Sequence, residues 1–79
     1  MLEELQSGER LVGVKQILRA LARGSVCVVF FAADADPALV APLRELCSQK
    51  GVRLVSVPSM RQLGEACGIA VKAAAAALV

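Results

Sequence analysis

GVKQILRALARG at residues 13–24, followed directly by SVCVVFFAA at residues 25–33, is the stretch from which the fold is read. In its first half Val14, Ile17, Leu18 and Leu21 recur at i, i+3, i+4 and i+7, the period of a helix with one apolar face. Lys15, Arg19 and Arg23 fall four apart, and each such step advances about 40° beyond a full turn, so the three cations share an exposed face. A basic last turn followed by Gly24 is a helix stop. The second half changes period: Val26 to Ala33 is apolar without polar alternation, which predicts a central strand covered on both faces. An amphipathic helix feeding a doubly covered strand predicts an α/β chain.

Working outward, residues 2–6 are expected to form a short helix with Leu2 and Leu5 on one side, stopped by Gly8, and Arg10-Leu11-Val12 is long enough only for a brief strand or an extended lead-in. Downstream, Asp34-Ala35-Asp36-Pro37 ends the central strand, with Asp36 as N-cap and Pro37 at the first helical position, where its missing N–H costs nothing. The following helix should run to about Lys50, bury Leu39, Val40, Leu43, Leu46 and Cys47, and stop at Gly51. Pro42 opposes the carbonyl of Ala38, which predicts either a bend there or a regular helix that begins near Pro42. Val52 to Val57 reads as a second strand, Pro58-Ser59 ends it, and Ser59-Met60-Arg61-Gln62 has the spacing of a capping box for a short helix through Cys67. Gly64 within that helix implies close packing. The tail from Ile69 to Val79 has two readings. Ala73 to Ala77 favour helix by propensity, whereas two strands joined by helical crossovers need further strands to complete a sheet.

At 79 residues the chain is expected to be one domain, and it can bury only about 60% of the surface that its unfolded form exposes. Tyr, Trp and His are absent, and Phe30 and Phe31 are the only aromatics. A net charge of +2 does not by itself announce nucleic acid, so the distribution of charge has to decide. Cys27, Cys47 and Cys67 are odd in number, without a Cys-x-x-Cys spacing, and read as small buried hydrophobes in a reducing compartment rather than as zinc ligands or a disulfide. No stretch approaches the roughly 20 apolar residues of a membrane span, and Met1-Leu2-Glu3-Glu4 lacks the basic start of a secretory signal. A cytoplasmic protein without a membrane partner is expected.

For an enzyme, the candidate groups are Asp34, Asp36, the cysteines, Ser25, Ser56, Ser59 and the lysines. Asp34-x-Asp36 after a strand resembles a carboxylate pair for magnesium or phosphoryl transfer, but capping a helix is sufficient employment for Asp36. Neither the G-x-x-x-x-G-K-[ST] loop nor the G-x-G-x-x-G fingerprint is present, so no nucleotide cofactor is expected. The functional reading therefore moves to Gly13–Arg23. A helix starting at Gly13 offers unpaired backbone N–H groups, and glycine lets a phosphate backbone approach. Lys15 and Gln16 in the first turn suit base edges, and Arg19 and Arg23 suit phosphates. The plain alternative is a solvated basic face. Val57-Pro58-Ser59-Met60 forms a second candidate surface, a strand-to-helix loop able to cover an unstacked base, with core packing of Met60 as its alternative.

Taken together, Val12-Gly13-Val14-Lys15-Gln16, Arg23-Gly24, Ala33-Asp34-Ala35-Asp36-Pro37, Val57-Pro58-Ser59 and Leu63-Gly64-Glu65-Ala66-Cys67-Gly68-Ile69 resemble the small ribosomal kink-turn RNA-binding proteins. That family includes the archaeal multifunctional large-subunit protein and its short bacterial relatives. The resemblance implies a three-layer α-β-α sandwich around a small four-stranded mixed sheet, with strands near residues 10–12, 26–32, 52–57 and 72–79. It also implies a non-catalytic protein, monomeric when free, that binds structured RNA, ribosomal RNA above all. The target would be a kinked internal loop with tandem sheared G·A pairs. On this resemblance Gly13 allows close approach, Lys15 and Gln16 face the guanines, Arg19 makes a basic contact, and Val57 to Met60 shelter a flipped-out nucleotide. Val14 stands where the family often has a hydroxyl residue, Lys15-Gln16 follow the bacterial type rather than its archaeal Asn-Glu pair, and Ala33 replaces a residue that is usually charged. A protein-interaction domain of the same fold is the alternative.

Overall fold

The helix expected after Gly13 forms as read, and the sheet beneath it is completed by the alanine tail. The computed structural model describes residues 10–68 and 72–79, so the helix expected over residues 2–6 lies outside the described residues, as do residues 69–71 of the tail. The elements are β1 (Arg10–Val12), α1 (Val14–Arg23), β2 (Val28–Ala32), α2 (Pro37–Lys50), β3 (Arg53–Val57), α3 (Met60–Ala66) and β4 (Ala75–Leu78). The strands form one sheet in the order β1-β4-β2-β3. β2 and β3 are parallel, and β4 is antiparallel to both β1 and β2. β1, β2 and β3 therefore point the same way, and their carboxyl ends share one edge with the start of β4.

Side-chain alternation along the strands separates two cores. Val29, Ala75 and Ala77 pack against Ile17, Ala20 and Leu21 of α1 and Leu43 and Cys47 of α2. Phe30, Ala32 and Ala76 pack against Leu63, Ala66 and Cys67 around α3. Three helices thus flank a four-stranded mixed sheet in an α-β-α sandwich. All five residues of β2 are buried, as a strand without polar alternation requires. The helix reading of the tail is corrected at Ala75–Leu78. Ala75, Ala76 and Ala77 are each 0% exposed, and two covered faces plus two ladders of hydrogen bonds outweigh the intrinsic helix preference of alanine.

Five expectations need adjustment. β2 begins at Val28 rather than Val26, because the amide and hydroxyl of Ser25 both donate to the Ala20 carbonyl and hold the preceding residues on the end of α1. β3 begins at Arg53 because the Val52 amide donates to the Cys47 carbonyl at 2.9 Å and so belongs to the close of α2. α2 starts at Pro37 rather than near Pro42: Asp36 accepts from the Ala38 amide at 2.9 Å, and its carbonyl accepts from Leu39 and Val40, which secures the first turn. Leu39 is 46% exposed and Cys27 is also exposed, although both were expected in the core. Leu39 lies one residue before the buried Val40, off the stripe that Val40, Leu43 and Cys47 define, and Cys27 precedes β2, outside the buried run of that strand.

Candidate nucleic-acid interface

The shared edge of the sheet is held together by backbone hydrogen bonds between segments distant in sequence. The Gly13 amide donates to Ala75 O at 3.1 Å, Ala32 N to Ala74 O at 2.9 Å, and Ala33 N to Val57 O at 2.7 Å. Two more join the loops: Met60 N donates to Asp34 Oδ1 at 2.7 Å, and Ala73 N to Met60 O at 3.1 Å. The start of α1, the loop after β2, the loop after β3 and the start of β4 therefore form one continuous rim. It lies outside the carboxyl ends of the strands, where open α/β sheets place their sites.

The helix starts on this rim differ. Asp36 caps α2 through Ala38 N, and Ser59 Oγ accepts from Gln62 N at 3.1 Å to cap α3. α1 begins at Gly13 with no side-chain cap and no acid in its first turn. Its leading N–H groups, and the positive end of its dipole, are left for an external acceptor. Gly13 itself has φ 112° and ψ 138°, a conformation that only glycine adopts readily.

Lys15, Gln16, Arg19 and Arg23 are exposed, and Gly13 and Val14 are half-buried. Gln16, Arg19 and Arg23 line one groove of about 210 Å³ floored by Leu11 and Ala20, while Lys15 lies outside that lining. The first turn and the basic stripe are thus contiguous along one side of α1. At the second candidate surface the residues separate by depth. Val57 is the last residue of β3 and is 2% exposed, Met60 is half-buried against the same core, Ser59 is occupied as a cap, and Pro58 is exposed. The solvent side of this loop is Pro58 with the uncovered part of Met60.

Sequence reading did not find the bond from Met60 N to Asp34, which joins the loop after β2 to the loop after β3; spacing alone gives no signal for a pair 26 residues apart. It also passed over Arg44, whose guanidinium lies 5.0 Å from the centroid of the Phe31 ring. Asp34 and Asp36 each accept a backbone N–H, so both serve as structural caps. Among the described residues no group of three or more His, Cys, Asp or Glu side chains is placed to hold a metal ion, and no helix is long and apolar enough to cross a membrane.

Comparison with known proteins finds relatives that match nearly the whole chain. An RNA-binding protein of Bacillus pumilus is 47% identical over 74 residues, spanning 94% of this chain and 90% of its relative. One from a Geobacillus species is 43% identical over 75 residues, 95% of this chain and 92% of that protein. Among solved structures, the 15.5kD RNA binding protein of Giardia lamblia superposes with a TM-score of 0.92 at 33% identity, covering 98% of this chain and 68% of that one. The family model for the ribosomal protein L7Ae/L30e/S12e/Gadd45 family matches residues 2–79, and the chain belongs to that family.

Proposed function

We propose that this chain is a non-catalytic RNA-binding protein that recognises a kinked internal loop with tandem sheared G·A pairs, in ribosomal RNA, as a single domain that is monomeric when free in the cytoplasm. The observation that carries the reading is the start of α1: an uncapped helix end, opened by a glycine at φ 112° and followed by exposed Lys15 and Gln16. Lysine donates to guanine O6 and N7, and glutamine both donates to and accepts from a base edge. Arg19 and Arg23 extend the positive surface along the same helix and suit phosphates. The relatives named RNA-binding proteins support this reading.

The test is a titration against a kink-turn RNA and a copy whose G·A pairs are replaced by Watson–Crick pairs. Binding that is tighter to the first at every salt concentration is expected, and equal affinity for both would overturn the specific reading. A protein-docking role would call for an apolar patch away from the basic helix. Among the described residues the large exposed apolar side chains are Leu39 and Val79, set apart from each other, and a shallow groove lined by Leu18, Pro42 and Leu46 adjoins α1 itself.

A further inference from the structure

A second cavity opens on the same rim, on the face of the sheet covered by α2. It has a volume of about 260 Å³, a floor of Phe31 and Val40, and a rim of Ala33, Pro37 and Ala41, with Arg44 closing one side. Phe31 and Val40 are 9% and 5% exposed, so the floor is fixed by the core and the opening is bordered by small side chains. The exposed Arg44 guanidinium sits over the Phe31 ring at 5.0 Å, within cation–π range, which restrains a side chain that would otherwise sample many rotamers. Among the described residues Arg44 has no carboxylate within ion-pair distance, and its in-plane N–H donors are available. Ala33 at the mouth donates its amide to Val57 O, so the cavity joins the loop that precedes Met60.

A cavity of this size is below the roughly 300–1,000 Å³ of drug-sized sites and suits one planar ring. We propose that Arg44, held over Phe31, is a specificity-determining residue: a stacking subsite for one unpaired base of the bound RNA, with its N–H edges on that nucleotide's phosphate. This rests on the RNA-binding reading and adds to it a nucleotide contact on α2, on the sheet face opposite α3. Bases stack on guanidinium planes as well as on aromatic rings, and an arginine backed by an aromatic supplies a rigid platform without a buried unpaired charge. Lysine at the same position would keep the charge and lose the plane.

The experiment uses a kink-turn RNA whose unpaired loop nucleotides are made abasic one at a time, and a parallel set carrying 2-aminopurine at each position. Wild-type protein is expected to bind one abasic RNA about tenfold more weakly than the intact RNA, and to quench 2-aminopurine at that position. Arg44→Lys should bind the intact and abasic RNAs alike and leave the fluorophore bright, and its folded state is checked by circular dichroism. Retention of both the discrimination and the quenching by Arg44→Lys would overturn the proposal, as would a wild-type protein indifferent to every abasic position. Either result leaves the broader reading standing provided the wild type still prefers RNA with its G·A pairs, so the two failures are distinguishable.

Discussion

Gly13 bears on stability through its backbone conformation and, in the proposed interface, on recognition. A Cβ built there meets nothing within 4 Å, so the penalty for Gly13→Ala comes from the backbone conformation at φ 112° rather than from a clash. A loss of about 1–3 kcal/mol is expected, larger than for Gly24→Ala or Gly51→Ala, whose left-handed helical conformations cost alanine about 1–2 kcal/mol. Urea midpoints of the three variants check the order. The neighbouring side chains divide by chemistry. Replacing Lys15 or Gln16 by alanine should lower the preference for G·A-containing RNA by about 1–3 kcal/mol per base contact. Arg23→Gln should instead weaken all RNAs similarly and reduce the slope of log K against log salt by about 1, which binding measured across a salt series will separate. The cysteines divide by burial: it pushes the thiols of Cys47 and Cys67 up, the latter partly offset by the charge of Arg10, whereas Cys27 is exposed. Alkylation of the folded protein should therefore show one fast thiol, abolished by Cys27→Ser, and two slow ones. Because the raised pKa values keep Cys47 and Cys67 protonated longer in the fold than in the unfolded chain, their contribution to stability is complete below the ordinary thiol range and declines as pH rises through it. The glycine and the basic stripe were legible in the sequence. The positive φ was not, since it follows from the bond that ties Gly13 N to Ala75 O across the sheet.

Local signals specify the helices, and each was readable for that reason. Asp36-Pro37, Ser59 with Gln62, and Gly24 and Gly51 act within a few residues of the ends that they define. Pro42 is the exception within α2. It removes one hydrogen bond to Ala38 O, yet the helix runs through it because Asp36 secures the first turn and Val40, Leu43 and Cys47 anchor the buried face. Pro42 is itself exposed, so Pro42→Ala should restore the bond at no packing cost. A gain of about 1–2 kcal/mol is expected, below the roughly 3 kcal/mol helix penalty of proline because the unfolded chain regains entropy. Thermal unfolding of the variant checks the sign. The contact between Asp34 and Met60 shows where local reading stops. Its partners lie 26 residues apart and meet only because β2 and β3 are parallel neighbours whose carboxyl ends coincide. Asp34→Ala should therefore loosen the loop at Pro58 more than it destabilises the core, and amide exchange at Met60 and Ala33 should quicken ahead of exchange in β2.

On the scale of the whole molecule, the alanine run is where local preference and architecture disagree, and the sheet order explains the outcome. β4 lies between β1 and β2, so its residues must pair on both sides and accept helices on both faces. Side chains larger than alanine would push α1 and α2 from one face and α3 from the other. Three fully buried alanines are what permits a three-layer packing in so short a chain. Propensity could not show this because the constraint comes from elements that contact β4 only after folding. Ala75 at the start of β4 and Ala74 just before it supply the carbonyls that accept from Gly13 and Ala32, so the placement of β4 also sets the position of α1 on the rim. Ala76→Leu tests both consequences. Its added bulk meets Phe30, Leu63 and the α3 layer and is expected to cost about 1–3 kcal/mol, a sizeable share of the total stability of a small domain. Ala22→Leu, on the exposed side of α1, should stay within about 0.5 kcal/mol. If the sheet transmits the strain to Gly13, Ala76→Leu should also bind kink-turn RNA more weakly under conditions in which the variant is fully folded. Unchanged affinity would mean that the α3 layer absorbs the bulk and that the rim is set by the α1 and α2 face alone.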